Sequence, residues 1–105
     1  MNREIVITKR MKLAFEILKE LGGQAYVSEV LEYLDINKPD RDRLKTYKDI
    51  HTSLAALAGK GLVTVKEGIF RGKKATKYIT SMDLILDMEE RDDLIVIKKW
   101  SGKNE

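Results

Sequence analysis

One stretch of the chain, residues 45–77, joins a helical pattern directly to two β-like runs. Apolar residues recur at three- and four-residue steps from Tyr47 to Leu57, which is the period of one face of a helix. Glycine follows this pattern and can end the helix in a left-handed conformation. The β-branched run 62–66, a basic tip bounded by Gly68 and Gly72, and a second β-like run come next. The sequence therefore predicts a helix followed by a β-hairpin.

The opposite side of this helix, predicted over residues 46–59, is small and polar. A slim helix face suits the major groove, where Thr and Ser hydroxyls can hydrogen-bond either partner of a base pair. Asp49 shares this side, where a carboxylate would repel phosphate unless it accepts from a cytosine amine or orients a nearby cation. The alternative is a plain solvated face, which the helix taken alone would favour. The basic segment beside the helix favours DNA binding instead. Four residues are expected to approach bases: Thr46, Lys48, Thr52 and Ser53.

The combination of a small polar helix, GKGLVTV, a basic loop and KYIT resembles the winged helix-turn-helix family of DNA-binding transcription regulators. The resemblance implies an α+β winged-helix fold in the order helix, short strand, helix, helix, strand, wing, strand. It places helix 46–59 in the major groove and wing 66–77 along the backbone or in the minor groove, which attracts Arg. The backbone-contacting residues implied are Lys45, Arg71, Lys73, Lys74 and Lys77.

The basic hairpin also has a structural interpretation, because lysines on a hairpin can keep a protein soluble and protect a sheet edge. Two apolar residues, Ile69 and Phe70, interrupt the cations of this segment. We expect one of them to fold back onto the sheet rather than remain exposed at a free tip.

The chain before this stretch carries the signals of two further helices. Thr8 is expected to cap a helix that runs to about Leu21, where two glycines end it. A short extended piece at 24–27 follows, and Ser28 is expected to cap the second helix. The third helix could begin at Thr46 or, with an extra turn, at Asp40 or Asp42. Thr46 is expected, since the apolar period becomes regular only from Tyr47.

Residues 81–105 form an extension to a winged-helix domain expected over residues 1–80. Ser81 is expected to cap a short helix, Glu89–Asp93 to form an acidic break, and 94–97 is rich in β-formers. Because the winged-helix core is already complete, the apolar residues of the extension are in surplus. We expect a homodimer through the terminal segments, with cover of the first helix as the alternative. The residues expected at the dimer interface are Met82, Ile85, Leu86, Leu94, Ile95, Ile97 and Trp100.

The composition excludes several kinds of chemistry. The chain has 105 residues, no Cys and one His. It therefore has no thiol that could act as a nucleophile or bind zinc, and no pair of histidines that could bind zinc. We expect no enzyme activity, no metal and no cofactor, and we expect the histidine, His51, to be half-packed or hydrogen-bonded rather than functional. No apolar run of membrane-spanning length is present, and the Cys-free, Lys/Glu/Arg-rich composition fits a cytoplasmic and thermophile-like protein.

The net charge of +3 is unevenly distributed. Residues 45–77 hold eight Lys or Arg against two carboxylates, whereas residues 81–93 hold six carboxylates against one Arg. This polarity favours an oriented contact with a polyanion. We therefore expect a sequence-specific, double-stranded DNA-binding protein that regulates transcription. The alternatives are a winged helix used for protein interaction through the extension, and an accessory DNA-binding protein of a replication, plasmid or viral system.

Overall fold

The computed structural model describes residues 5–37, 44, 46–80, 85–92 and 94–101, with the backbone alone for 85–87 and 98–101. This described part is α+β, with three helices and two three-stranded antiparallel sheets. In chain order the elements are β1 (Ile5–Thr8), α1 (Lys9–Glu20), β2 (Gln24–Tyr26), α2 (Val27–Asn37), α3 (Tyr47–Gly59), β3 (Thr64–Phe70), β4 (Lys73–Ile79), β5 (Ile85–Arg91) and β6 (Leu94–Ser101).

Helix α1 begins and ends where local signals predict. The Thr8 hydroxyl accepts a hydrogen bond from the Met11 backbone N–H at 3.1 Å, which confirms Thr8 as the N-cap. At the other end Gly22 and Gly23 have φ values of 96° and 92°. Only glycine adopts this conformation without strain, so the stop predicted at these two residues is confirmed.

Helix α2 is capped by a different residue from the one predicted. The helix begins at Val27, so Ser28 lies inside its first turn and its assignment as the cap is wrong. Instead, the Glu29 carboxylate accepts a hydrogen bond from the Tyr26 backbone N–H at 2.9 Å. A carboxylate at the third helical position can reach back to the residue before the helix, and here this contact fixes the start.

Helix α3 begins with a reciprocal cap between Thr46 and Asp49. The Thr46 hydroxyl accepts from the Asp49 N–H, and the Asp49 carboxylate accepts from the Thr46 N–H, each at 3.1 Å. The start predicted at Thr46 is confirmed. The same carboxylate lies 3.9 Å from Arg10 of α1, so it faces its own helix start and a cation of a neighbouring helix.

Strands β3 and β4 form the expected hairpin, but its tip is shorter than predicted. Pairing continues from Thr64 opposite Ile79 to Phe70 opposite Lys73. The turn is therefore the pair Arg71–Gly72, with φ values of 53° and 81°, instead of a loop over 68–72. Two consecutive positive φ values are the requirement of a tight two-residue hairpin turn. Strand β2 pairs with the other side of β4, giving the order β2-β4-β3.

The second sheet, in the order β1-β6-β5, corrects the interpretation of the extension. A helix was expected after Ser81, but 85–91 is strand β5, and the expected acidic break continues that strand to a turn that includes Asp92 (φ 55°). The spacing of its apolar residues also matches a helix. Strand β6 nevertheless pairs with β5 along its length, and such tertiary pairing overrides local propensity.

The C-terminal strand is part of the hydrophobic core. Ile95 and Ile97 are both 0% exposed and pack in the same cluster as Phe15 and Leu18 of α1. Their assignment to a dimer interface is wrong, because they are already covered within their own chain. Leu94 remains 44% exposed. Met82, and the side chains of Ile85, Leu86 and Trp100, lie outside the described part. No described helix is both long and apolar enough to cross a membrane.

Candidate nucleic-acid interface

Helix α3 presents a slim stripe of mostly small residues on the side that faces away from the core. Ile50, Leu54 and Leu57 are 0% exposed and hold the helix against the rest of the domain. On the other side lies the α3 stripe, whose members are all exposed: Lys48, Thr52, Ala55 and Gly59. Because the side chains after Lys48 are small, this surface can approach the floor of a groove closely.

The residues expected to contact bases divide between exposed and buried positions. Lys48 and Thr52 are exposed, as is Thr46, whose hydroxyl oxygen accepts from its own helix start. Ser53 is 2% exposed, so its placement on the outward face is wrong. It lies three residues after Ile50 and therefore on the packed face, where a small hydroxyl-bearing side chain fits.

An aromatic group flanks the α3 stripe. His51 is exposed and meets the Tyr78 ring edge-on, with the ring centroids 6.4 Å apart. Tyr47, one turn earlier, is 51% exposed. Burial raises the pKa of Tyr78 above its ordinary value of 10.0, and the nearby Tyr47 hydroxyl raises it further. His51 is thus more exposed than expected, although one edge contact with Tyr78 holds its ring.

The lysines of the hairpin lie on both faces of the sheet. Side chains alternate along a strand, and the buried pair Ala25 and Tyr78 marks the core side. Lys74 therefore lies on the core-side face, and its side chain is exposed. Lys73 and Lys77 lie on the opposite face, together with Lys66 of β3.

The tip of the hairpin contacts helix α2. Arg71 Nη2 lies 2.6 Å from the Glu32 carboxylate, and the Arg71 guanidinium lies over the Phe70 ring at 4.8 Å from its centroid. The cation expected to enter a minor groove is therefore paired within the chain. Lys45, which was also expected to contact the DNA backbone, lies outside the described residues.

Tyr26 crosses the hairpin and supports its outer half. Its ring packs 5.0 Å from Phe70, and its hydroxyl donates to the Ile69 carbonyl at 3.2 Å. The ring lies beside Gly68, where an added Cβ would stand 2.5 Å from the Tyr26 hydroxyl oxygen. The expectation that one apolar residue of the segment folds back is confirmed for Phe70, whereas Ile69 is 69% exposed.

In the described part of the chain, no three His, Asp or Glu side chains are grouped so that they could hold a metal ion. Comparison of the sequence and structure with protein-family models, curated proteins and solved structures found no match.

Proposed function

We propose that this protein binds double-stranded DNA through α3 and the β3–β4 hairpin and acts as a transcription regulator. The observation that carries the proposal is the α3 stripe, which is slim, exposed and accompanied by a hairpin rich in lysine. The element order and the sheet order β2-β4-β3 support a winged-helix interpretation of the same residues.

In this proposal α3 enters the major groove by its stripe. Thr52 hydrogen-bonds a base edge, Ala55 meets a thymine methyl group, and Lys48 contacts phosphate or guanine. The hairpin lysines neutralise phosphates and set the orientation of the helix. Asp49, which would repel phosphate if it faced outward, is engaged by the start of its own helix and by Arg10.

The experiment that tests the proposal places a carboxylate on the stripe. Ala55→Glu introduces bulk and negative charge where the groove floor would lie, so it should lower duplex affinity by at least about tenfold, the equivalent of a lost base contact with added repulsion. Ile36→Glu is the matched control, because Ile36 is an 80% exposed helix residue on α2 and gains the same charge. Equal affinities of the two variants in a fluorescence anisotropy titration would contradict the proposal.

We also propose a homodimer, because one small module gives too little contact for a specific site. The interface in this proposal is the outer face of the β1-β6-β5 sheet, where Val6 and Leu94 are 41% and 44% exposed. Sedimentation equilibrium at micromolar concentration should give twice the chain mass of 12.1 kDa. A measured mass equal to that of one chain would exclude the dimer.

A further inference from the structure

The face of the β2-β4-β3 sheet that turns away from the core carries an unusual set of side chains. We call it the outer sheet face, and it contains Tyr26, Lys66, Phe70, Lys73 and Lys77. Lys66 and Lys77 are directly opposite each other on neighbouring strands. Like charges in this position repel and destabilise a sheet. Their presence calls for an explanation other than stability.

The negative charge that would relieve this repulsion is missing from the described part of the face. None of the three lysines forms an ion pair with a described carboxylate. Glu67 of β3 lies on the opposite face, since it alternates with Lys66, and Glu32 of α2 is paired with Arg71 at the tip. The outer sheet face is therefore suited to a ligand that brings several negative charges of its own.

Aromatic rings lie among these cations. Tyr26 and Phe70 are half-buried, 5.0 Å apart between centroids, and tilted by 34°. Lys77 lies 5.3 Å from the Tyr26 ring centroid, and Arg71 lies 4.8 Å from that of Phe70. Lysines alone would serve any polyanion, whereas aromatic rings add partners for flat, unsaturated groups.

We propose that the outer sheet face binds a single-stranded polynucleotide. Lys77 and Arg71, which lie over the Tyr26 and Phe70 rings in the free protein, move to the phosphates and join Lys66 and Lys73 there. Bases of the unpaired strand then stack on the two rings. A duplex satisfies the charges but keeps its bases stacked internally, so the aromatic pair selects the unpaired strand. This site goes beyond duplex binding, because its aromatic residues lie on a different face from the α3 stripe, although it shares the hairpin lysines with the proposed duplex interface.

The first test compares strands with and without bases. The chain is titrated into fluorescein-labelled oligo-dU and oligo-U of about 12 nucleotides, and into an abasic strand with the same number of phosphates. We expect binding to at least one base-bearing strand, and the comparison of dU with U, which differ only in the sugar, identifies which sugar is preferred. The abasic strand should bind at least about fivefold more weakly, since stacking is lost. Equal affinity for the abasic strand, or no binding of either base-bearing strand, would overturn the proposal.

The second test uses neighbouring residues on opposite faces. Phe70→Leu keeps an apolar side chain but removes the ring, and should weaken single-strand binding by about 5- to 150-fold, the range for one stacked base. Ile69→Ala, on the other face and 69% exposed, should leave it unchanged. Thermal unfolding of both variants checks that the domain remains folded.

A lysine pair makes the same comparison without altering the aromatic residues. Lys73→Gln on the outer sheet face should weaken single-strand binding severalfold, whereas Lys74→Gln on the core-side face should not. Equal losses of single-strand affinity in the two variants would mean that the strand is attracted diffusely to a basic protein, and would overturn the proposed site. Duplex binding is measured in parallel with Ala55→Glu, which should affect the duplex alone, so failure of one site is distinguishable from failure of the other.

Discussion

Arg71 Nη2 lies 2.6 Å from the Glu32 carboxylate and ties the hairpin tip to helix α2. The two side chains are 67% and 46% exposed, so the pair contributes only about 0–1 kcal/mol to stability. It does, however, hold the tip cation against the protein. In the proposed complex a phosphate must replace Glu32 as the partner of Arg71, and the pair then lowers DNA affinity while it orders the free protein.

Glu32→Gln should therefore strengthen duplex binding severalfold and steepen the dependence of log K on log salt by up to about one. The free energy of unfolding should change by less than about 1 kcal/mol, which chemical denaturation measures. Glu16→Gln is the matched control, because it removes one carboxylate that pairs with Lys12 on α1. Weaker DNA binding of Glu32→Gln would show that the ion pair helps to present the hairpin.

Adjacent hydroxyl residues of α3 should behave differently. Thr52→Ala removes an exposed hydroxyl from the α3 stripe and should reduce the preference for a cognate site over random DNA by about 1–3 kcal/mol. Ser53→Ala changes a side chain that is 2% exposed and should leave that preference intact. A cognate site is first selected from a random duplex pool. Equal effects of the two substitutions would refute direct reading by Thr52.

Two glycines should respond in opposite directions to alanine. Gly68→Ala puts a Cβ where the Tyr26 hydroxyl oxygen is only 2.5 Å away, so the ring must move, at a cost of about 1–3 kcal/mol. Gly59→Ala, at the end of α3, meets nothing within 4 Å and should stabilise the domain by up to about 1 kcal/mol. Thermal or urea unfolding separates the two outcomes. A neutral Gly68→Ala would mean that Tyr26 does not support the hairpin.

The features that sequence alone predicts here are local ones. Thr8 and Thr46 cap helices through contacts three residues away, and Gly22–Gly23 ends a helix through its own backbone conformation. Such signals are complete within a short window of sequence. The cap of α2 was missed because Ser28 and the carboxylate of Glu29 offer competing local solutions.

The features that sequence missed depend on distant partners. The spacing of the apolar residues in 85–88 fits a helix, but these residues form a strand because β6 pairs with them. Ile95 and Ile97 were predicted to be surplus to the core, but β1 pairs with β6 and both side chains pack in the same cluster as residues of α1. The outer sheet face is a similar case, since the opposition of Lys66 and Lys77 depends on the register of the hairpin. That register follows from a two-residue turn at Arg71–Gly72, where a longer loop was expected.

Duplex affinity as a function of salt tests the central claim most directly. Fluorescence anisotropy with a labelled random duplex should give a dissociation constant of about 1–100 μM near 150 mM salt. The log of the association constant should fall linearly with log salt, with a slope set by the phosphates that the hairpin and Lys48 contact. The account predicts both the binding and the slope for the unmodified chain. Absence of binding at about 50 mM salt with about 100 μM protein would contradict it.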